Sequence, residues 1–206
     1  MNNDPEGKSP QLSSDVLEQA AKLQVYDDQG NAVAFGTLYQ DQKTIVVFIR
    51  HFFCGSCQQY VIQLATVSPH TLAQANTRLV IIGCGDWHLI KNYRETTGYS
   101  GALYADHSRA LYHLLALTTS LALTLAGQEK RGYLAGRSFV ANVVKSIWDG
   151  PLKNPQHIGK QGDISQLGGD FILGPGNVCA FASRMQHTED HVDVPELMRE
   201  AGVVYP

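Results

Sequence analysis

Two apolar runs dominate the pattern of the chain. TIVVFI (Thr44–Ile49) and RLVIIGCG (78–85) are continuous and rich in β-branched residues. Each predicts a strand buried on both faces, and therefore a central position in a mostly parallel sheet. Between them the period changes. Tyr60, Val61, Leu64 and Val67 recur at helical spacing from Cys57 toward Ala75, and Pro69 predicts a kink or a break into two helices. Trp87–Thr97 reads as a helix stopped by Gly98, ALYAD (102–106) as a short strand and Ser108–Leu117 as another helix.

The flanks follow the same reasoning. Ser13-Ser14-Asp15 predicts a cap for a helix over VLEQAAKL. LQVYDDQGNAVAFGTLY predicts a strand, a turn at Asp28–Asn31 and a returning strand. GGDFILGPGNVCAFASR (168–184) predicts two strands around Pro175-Gly176-Asn177, and Val194–Ala201 a closing helix with Pro195 in its first turn. Residues 118–161 are the least regular. They hold several glycines, a basic patch (Lys130, Arg131, Arg137) and an amphipathic piece, SFVANVVKSIWDG, whose Val140, Val143, Val144 and Ile147 form one helical face. This stretch is expected to be a helical insertion covering the sheet or a pocket. Residues 1–11, polar with Pro5 and Pro10, are expected to be a disordered tail, leaving 12–206 as one domain. Strands alternating with helices, then a hairpin and a last helix, describe an α/β sandwich of thioredoxin type.

Composition narrows the function. The 206 residues are 44% hydrophobic and 17% charged, with a formal net charge of −3. Nothing in that balance predicts a nucleic-acid partner or an electrostatic hold on anionic membranes. The N-terminus has no basic segment followed by an apolar core, so it does not read as a secretory signal. The longest uncharged stretch, Ala110–Gly127, carries Tyr, His, Ser and Thr and is too polar for a convincing membrane span. It reads as a buried helix end running into a second segment. A soluble cytoplasmic protein is expected. In a reducing compartment four cysteines do not form a structural disulfide framework, so a close pair is expected to do chemistry.

Cys54 and Cys57 form that pair, in RHFFCGSCQQY, where TIVVFI ends and the helical pattern begins. Cysteines at i and i+3 on a first helical turn can close a disulfide with little backbone movement. The helix start offers free N–H groups and positive potential, which favour the reactive thiolate. Gly55 and Ser56 add little bulk, so both sulfurs are expected to be approachable. Arg50 and His51 flank the pair, and a cation beside a thiolate lowers its pKa. The alternatives are a zinc site, which lacks a second pair of ligands at suitable spacing, and two inert core cysteines. No metal is expected. Cys84, ending the second apolar run, lies at the same sheet edge as the pair, although a small core residue explains it more simply. Trp87 is a candidate pocket wall and Asp170 a candidate base for the second cysteine, with core packing and a solvated hairpin edge as their plainer explanations.

These motifs carry a family resemblance. RHFFCGSCQQYV, IIGCGDWHLIKNYRETTGY, ALYADHSRALYHLLAL, SIWDGPL and GGDFILGPGN resemble the AhpC/TSA antioxidant-enzyme-domain proteins, in their thioredoxin-like or peroxiredoxin-like 2 type, over about residues 20–203. The resemblance implies a thioredoxin fold with a central mixed sheet and thiol-dependent redox chemistry. In the peroxiredoxin pattern Pro-x-x-x-Thr/Ser-x-x-Cys, the Pro falls on Arg50, the Thr on Cys54 and the attacking cysteine on Cys57. The thioredoxin pattern makes Cys54 the attacker and Cys57 the resolver. The distant Arg of peroxiredoxins and the cis-Pro of thioredoxins both fall near Gly168–Gly169, where neither residue stands.

The leading expectation is a Cys54–Cys57 pair that cycles between dithiol and disulfide to reduce a hydroperoxide, an endoperoxide or a small disulfide. Cys54 is the preferred attacker because the first residue of the helix is the more exposed. No tightly bound cofactor is expected, because no nucleotide-binding glycine motif is present. An external thiol system, thioredoxin or glutathione, would reset the pair. Two alternatives stand beside it. One is a tailoring enzyme of small-molecule metabolism without net redox turnover. The other is a non-catalytic interaction module, for which residues 110–126 would be a docking or homodimer face.

Overall fold

The computed structural model describes residues 11–125, 131–134 and 157–205. Its centre is one seven-stranded sheet in the order β2-β1-β5-β4-β3-β6-β7. The strands are β1 (Gln24–Tyr26), β2 (Ala32–Ala34), β3 (Lys43–Ile49), β4 (Thr77–Gly83), β5 (Ala102–Ala105), β6 (Gly169–Leu173) and β7 (Cys179–Arg184). The apolar runs β3 and β4 take central places, as their two-sided burial requires. The sheet is mixed, and the expectation of a mostly parallel one fails outside its middle. β3–β4 and β4–β5 are parallel. The four other pairings are antiparallel. Two of these four, β1–β2 and β6–β7, are hairpins that reverse direction on short turns, and each hairpin meets the parallel centre through an antiparallel edge.

Helices cover both faces. On one lie α2 (Gly55–Leu64), α4 (Ile90–Thr97) and α6 (Val194–Glu200), packed with Ile45, Val47 and Ile49 of β3. On the other lie α1 (Ser14–Ala21) and α5 (Ala110–Leu114), packed with Val46 and Phe48. The alternation along β3 is the period-two rule at work. Local signals hold where they were strongest. The Ser13 hydroxyl caps α1 by accepting from the Val16 N–H. α3 (Pro69–Gln74) restarts at Pro69 under a Ser68 cap. Gly98, at φ 71°, ends α4.

Several expectations are corrected. The returning strand after the first turn stops at Ala34, and Phe35–Leu38 form a 3₁₀ turn. The helix expected over Ser108–Leu117 is only Ala110–Leu114, because residues 106–109 fold into a cap in which the Asp106 carboxylate accepts from the Leu111 N–H and the Ser108 hydroxyl. Leu115 and Leu117 just beyond it are buried, as expected of a buried helix end, and the run then comes to the surface. Leu121, Leu123 and Leu125 are 62%, 42% and 68% exposed. The expected helix over 138–150, Lys130, Arg137 and the tail 1–10 lie outside the described residues. Arg131 is ion-paired with Asp190 at 2.9 Å, so it is more than part of a solvated face.

Two glycines fix how the chain meets itself near the strand ends. A Cβ on Gly83 would collide with the Phe52 ring, and one on Gly168 with the Phe48 carbonyl. Among the described residues no helix is long and apolar enough to cross a membrane.

Candidate active site

β3 delivers the chain into Arg50-His51-Phe52-Phe53, and α2 starts immediately after Cys54. Cys54 is the helix N-cap, with extended backbone (φ −72°, ψ 111°), and its sulfur accepts from the Cys57 N–H at 3.4 Å. A sulfur thus occupies the position that a Ser or Asp oxygen usually fills, at the positive end of the helix.

Arg50 supplies the charge. It is 6% exposed, and its guanidinium is spread across three acceptors. Nη1 donates to Cys54 Sγ at 3.4 Å, Nε to the Gln166 carbonyl at 3.3 Å and Nη2 to the Ile164 carbonyl at 2.6 Å. Its backbone N–H donates to Cys57 Sγ at 3.4 Å. The carbonyl loop is itself held in place. The buried Gln166 side chain donates to the Leu117, Thr118 and Leu167 carbonyls, and Asp163 is ion-paired with Arg109 at 2.6 Å. Ser56 completes the cup. Its hydroxyl donates to the Thr188 carbonyl at 3.1 Å and lies 3.2 Å from Cys54 Sγ.

These contacts separate the two thiols. Burial alone would push Cys54 up, but the Cys57 thiol, the Arg50 charge and the Ser56 hydroxyl together hold it well below the ordinary thiol range. Cys57 goes the other way. Burial raises it, and the neighbouring Cys54 raises it further, so it holds its proton. The arrangement can carry one ready nucleophile with a protonated partner one helical turn away.

The other candidate residues divide. His51 is not a second cation, because burial drives its pKa down to about 4 and leaves the ring neutral at neutral pH. The sulfurs are less approachable than expected: Gly55 and Ser56 are half-buried, but Cys54 is only 3% exposed and Cys57 fully buried. Cys84 packs in the cluster on the opposite face of the sheet. Its thiol donates to the Arg50 carbonyl at 2.8 Å and so sits behind Arg50, away from any pocket over the pair. Trp87 packs at the rim of the cysteine-side cluster, over the Gly30 turn and against the His88 ring. Asp170 is no solvated carboxylate. It is completely buried on the cysteine face and bonded to His191 and to the Val192 N–H. Sequence reasoning missed Gln166, Thr188 and His191. The first two act on the site through main-chain carbonyls, which carry no side-chain signal.

The described cavity lined by Leu64, Val67, Pro69, Leu72 and Tyr99 sits at the far end of α2 from the cysteines. The cis peptide Gly174–Pro175 lies in the β6–β7 turn, likewise remote from the pair. Among the described residues no group of three His, Cys, Asp or Glu side chains could hold a metal ion.

A family profile described as AhpC/TSA antioxidant enzyme matches residues 63–187. Peroxiredoxin-like 2C of Homo sapiens is 33% identical over 205 residues, covering 97% of this chain and 86% of that protein. The chain belongs to the AhpC/TSA antioxidant enzyme family. Membership makes it a peroxiredoxin-like oxidoreductase. The matched profile begins after the Cys54–Cys57 pair, so it does not by itself assign those residues. Prostamide/prostaglandin F synthase of Xenopus tropicalis is 25% identical over 175 residues, covering 84% of this chain and 81% of that protein. The crystal structure of Peroxidoxin BcpB from Mycobacterium tuberculosis superposes with a TM-score of 0.59 at 8% identity, covering 97% of this chain and 99% of that one, which shows a shared fold.

Proposed function

We propose that this AhpC/TSA family member reduces a small hydroperoxide with the Cys54–Cys57 pair, Cys54 attacking and Cys57 resolving. The Cys54 thiolate attacks the peroxide O–O bond, an alcohol or water leaves, and a sulfenate forms. Cys57 displaces the sulfenate oxygen as water and closes the disulfide. An external dithiol of the thioredoxin or glutathione class, in a cytoplasmic setting, returns both thiols. The observation that carries this reading is the split between the two sulfurs: Cys54 gathers the donors, while Cys57 keeps its proton. The same split favours the thioredoxin-type order over the peroxiredoxin register, which would make Cys57 the attacker. Near-complete burial of both sulfurs favours a small substrate over a bulky protein disulfide.

A second reading has one observation behind it. Relatives named prostamide/prostaglandin F synthase favour a specialised organic substrate, an endoperoxide among them, over a general antioxidant role. The deciding experiment is intact mass of the reduced protein before and after one equivalent of hydrogen peroxide, without added thiol, followed by peptide mapping. Loss of two hydrogens with a Cys54–Cys57 bridge is the expected result. An unchanged mass, or a bridge through Cys84 or Cys179, overturns the reading.

A further inference from the structure

The two carbonyls that hold Arg50 are themselves aimed by side chains. Ile164 and Gln166, which accept from Nη2 and Nε, flank Ser165 in one short loop. Asp163 shapes that loop. Its Oδ1 accepts from the Ser165 N–H at 2.8 Å and from the Ser165 hydroxyl at 2.7 Å, and its carbonyl accepts from the Gln166 N–H at 3.1 Å. An aspartate bonded to the backbone two residues on sets the local turn. The other oxygen, Oδ2, accepts from Arg109 Nη1 at 2.6 Å. Gln166 braces the loop from its far end and is 0% exposed. Its Nε2 lies 3.0, 3.1 and 3.0 Å from the Leu117, Thr118 and Leu167 carbonyls, while its Oε1 accepts from the same Arg109 nitrogen at 3.4 Å. Acceptors around the nitrogen and a cation at the oxygen leave the amide one orientation.

Arg109 reaches this loop from the opposite side of the sheet. It is the N-cap of α5, which packs in the cluster away from the cysteines. Its backbone is left-handed, at φ 59° and ψ 21°. That conformation is uncommon and costly for a residue with a Cβ, and it persists only where the surroundings enforce it. Asp106 enforces it here. The Asp106 carbonyl accepts from the Arg109 N–H at 3.1 Å, and its carboxylate accepts from the Ser108 hydroxyl at 2.7 Å and the Leu111 N–H at 2.9 Å. From this strained cap the guanidinium extends to both Asp163 and Gln166. The loop also pairs with Thr118 and Ser120 through backbone bonds at 2.9 and 2.8 Å, an anchor that does not depend on these side chains.

We infer that Arg109 and Gln166 are positioning residues for the Cys54 thiolate, because they fix the loop whose carbonyls hold Arg50 against the sulfur. This rests on the reading above in which Cys54 is the attacking thiolate. Neither residue touches the sulfur. Every link between them and it lies at hydrogen-bond distance: Arg109 to Asp163 and Gln166, the Ile164 and Gln166 carbonyls to Arg50, and Arg50 Nη1 to Cys54 Sγ. Without the brace the two carbonyls lose their fixed direction, the guanidinium swings, and the thiolate loses its nearest cation. The groups that act on Cys54 are Arg50 and His51 from the strand end and Cys57 and Ser56 from α2. Tyr93 from α4 and Tyr133 from the 132–134 turn feel its charge, and Asp163 acts on His51. All of these stay in place when residue 109 or 166 is replaced, so the ionisation of Cys54 reports where Arg50 points.

The experiment is iodoacetamide alkylation of the full, reduced chain across the pH range, with Cys54 read by peptide mass spectrometry, which gives its pH midpoint and its plateau rate separately. Arg109→Asn removes the guanidinium but keeps a residue that tolerates left-handed backbone. Below the wild-type midpoint it should slow Cys54 alkylation about threefold, a midpoint raised by roughly half a pH unit, with the plateau unchanged. Gln166→Met should slow it about tenfold, approaching Arg50→Met. Added to Arg50→Met, neither change should move the midpoint further, because the group they position is gone. An unmoved midpoint overturns the inference whatever the plateau does, since a loosened loop alone alters access and not ionisation. A shift that persists in full beside Arg50→Met also overturns it, by assigning the effect to charge acting through space. If Gln166→Met fails to fold, Arg109→Asn, at a side chain only partly buried, decides alone. A wild-type Cys54 midpoint near the ordinary thiol value overturns the attacking role of Cys54 and the brace with it. A low wild-type midpoint that neither variant moves removes the brace alone.

Discussion

Two neighbouring strands end level with each other, and both lead to a cysteine. Ile49 of β3 lies opposite Gly83 of β4, so Arg50 and Cys84 leave the sheet side by side. Cys84 meets acceptors. Its thiol donates to the Arg50 carbonyl, and burial pushes it up to about 12. Cys54 meets donors, namely a helix N–H and a guanidinium. Both sulfurs are nearly inaccessible, at 3% and 1% exposure, so exposure does not tell them apart. A place at the C-terminal edge of a parallel pair is therefore not enough to make a reactive thiol. The sign of the surrounding dipoles decides it.

The sharpest way to break this contrast is to remove each sulfur in turn. Cys54→Ser is expected to abolish peroxide-driven bridging, with no signal above background by intact mass. Cys84→Ala should keep it within about twofold, since a buried structural thiol is inert. Equal loss in both variants would erase the distinction between the two strand ends.

The next effect is on stability and comes from His51. Its folded pKa lies near 4, against 6.5 for the free side chain, so between those values the unfolded chain binds more protons than the folded one. Stability should therefore fall as pH drops from about 6.5 to 4, by on the order of 3 kcal/mol. His51→Gln should flatten that decline in urea melts taken across the window, whereas an unchanged slope would mean His51 is not the neutral neighbour described.

Arg50→Met tests the charge. Thiolate alkylation of Cys54 at pH 7 should slow roughly tenfold, with its pH midpoint moved upward, because the cation no longer offsets burial. Cys84 should stay unreactive in the same variant. Ser56→Ala should have the smallest effect, a loss of about twofold to fivefold in the same assay, the worth of one modest hydrogen bond. A larger loss for Ser56→Ala than for Arg50→Met would reverse the order of contributions assigned to the cup.

Legibility in the sequence followed side-chain pattern. TIVVFI, the Cys54–Cys57 spacing, Pro69 and Gly98 announce a strand, a helix start, a break and a stop, and each stands where local chemistry predicts. GGDFIL announced a strand but concealed its most unusual residue. Asp170 looked like an edge carboxylate because its partner, His191, arrives from a loop after β7 with no periodic relation to it. The clamp on Arg50 was invisible for a different reason. Its acceptors are the carbonyls of Ile164 and Gln166, and every residue has a carbonyl. The uncharged run 110–127 did not tell where burial ends: Leu115 and Leu117 are covered, while Leu121, Leu123 and Leu125 are exposed.

The Arg50 fork has a consequence for the direction of electron flow. Two of its bonds go to carbonyls and persist whatever happens to the sulfur. The third stabilises a negative charge that exists only while Cys54 is reduced. A fixed cation of this kind favours the dithiol over the disulfide, as in other thiol pairs whose reduced form is selectively stabilised. In the proposed cycle the Cys54–Cys57 bridge would then sit at a comparatively high reduction potential and accept electrons readily from an outside dithiol.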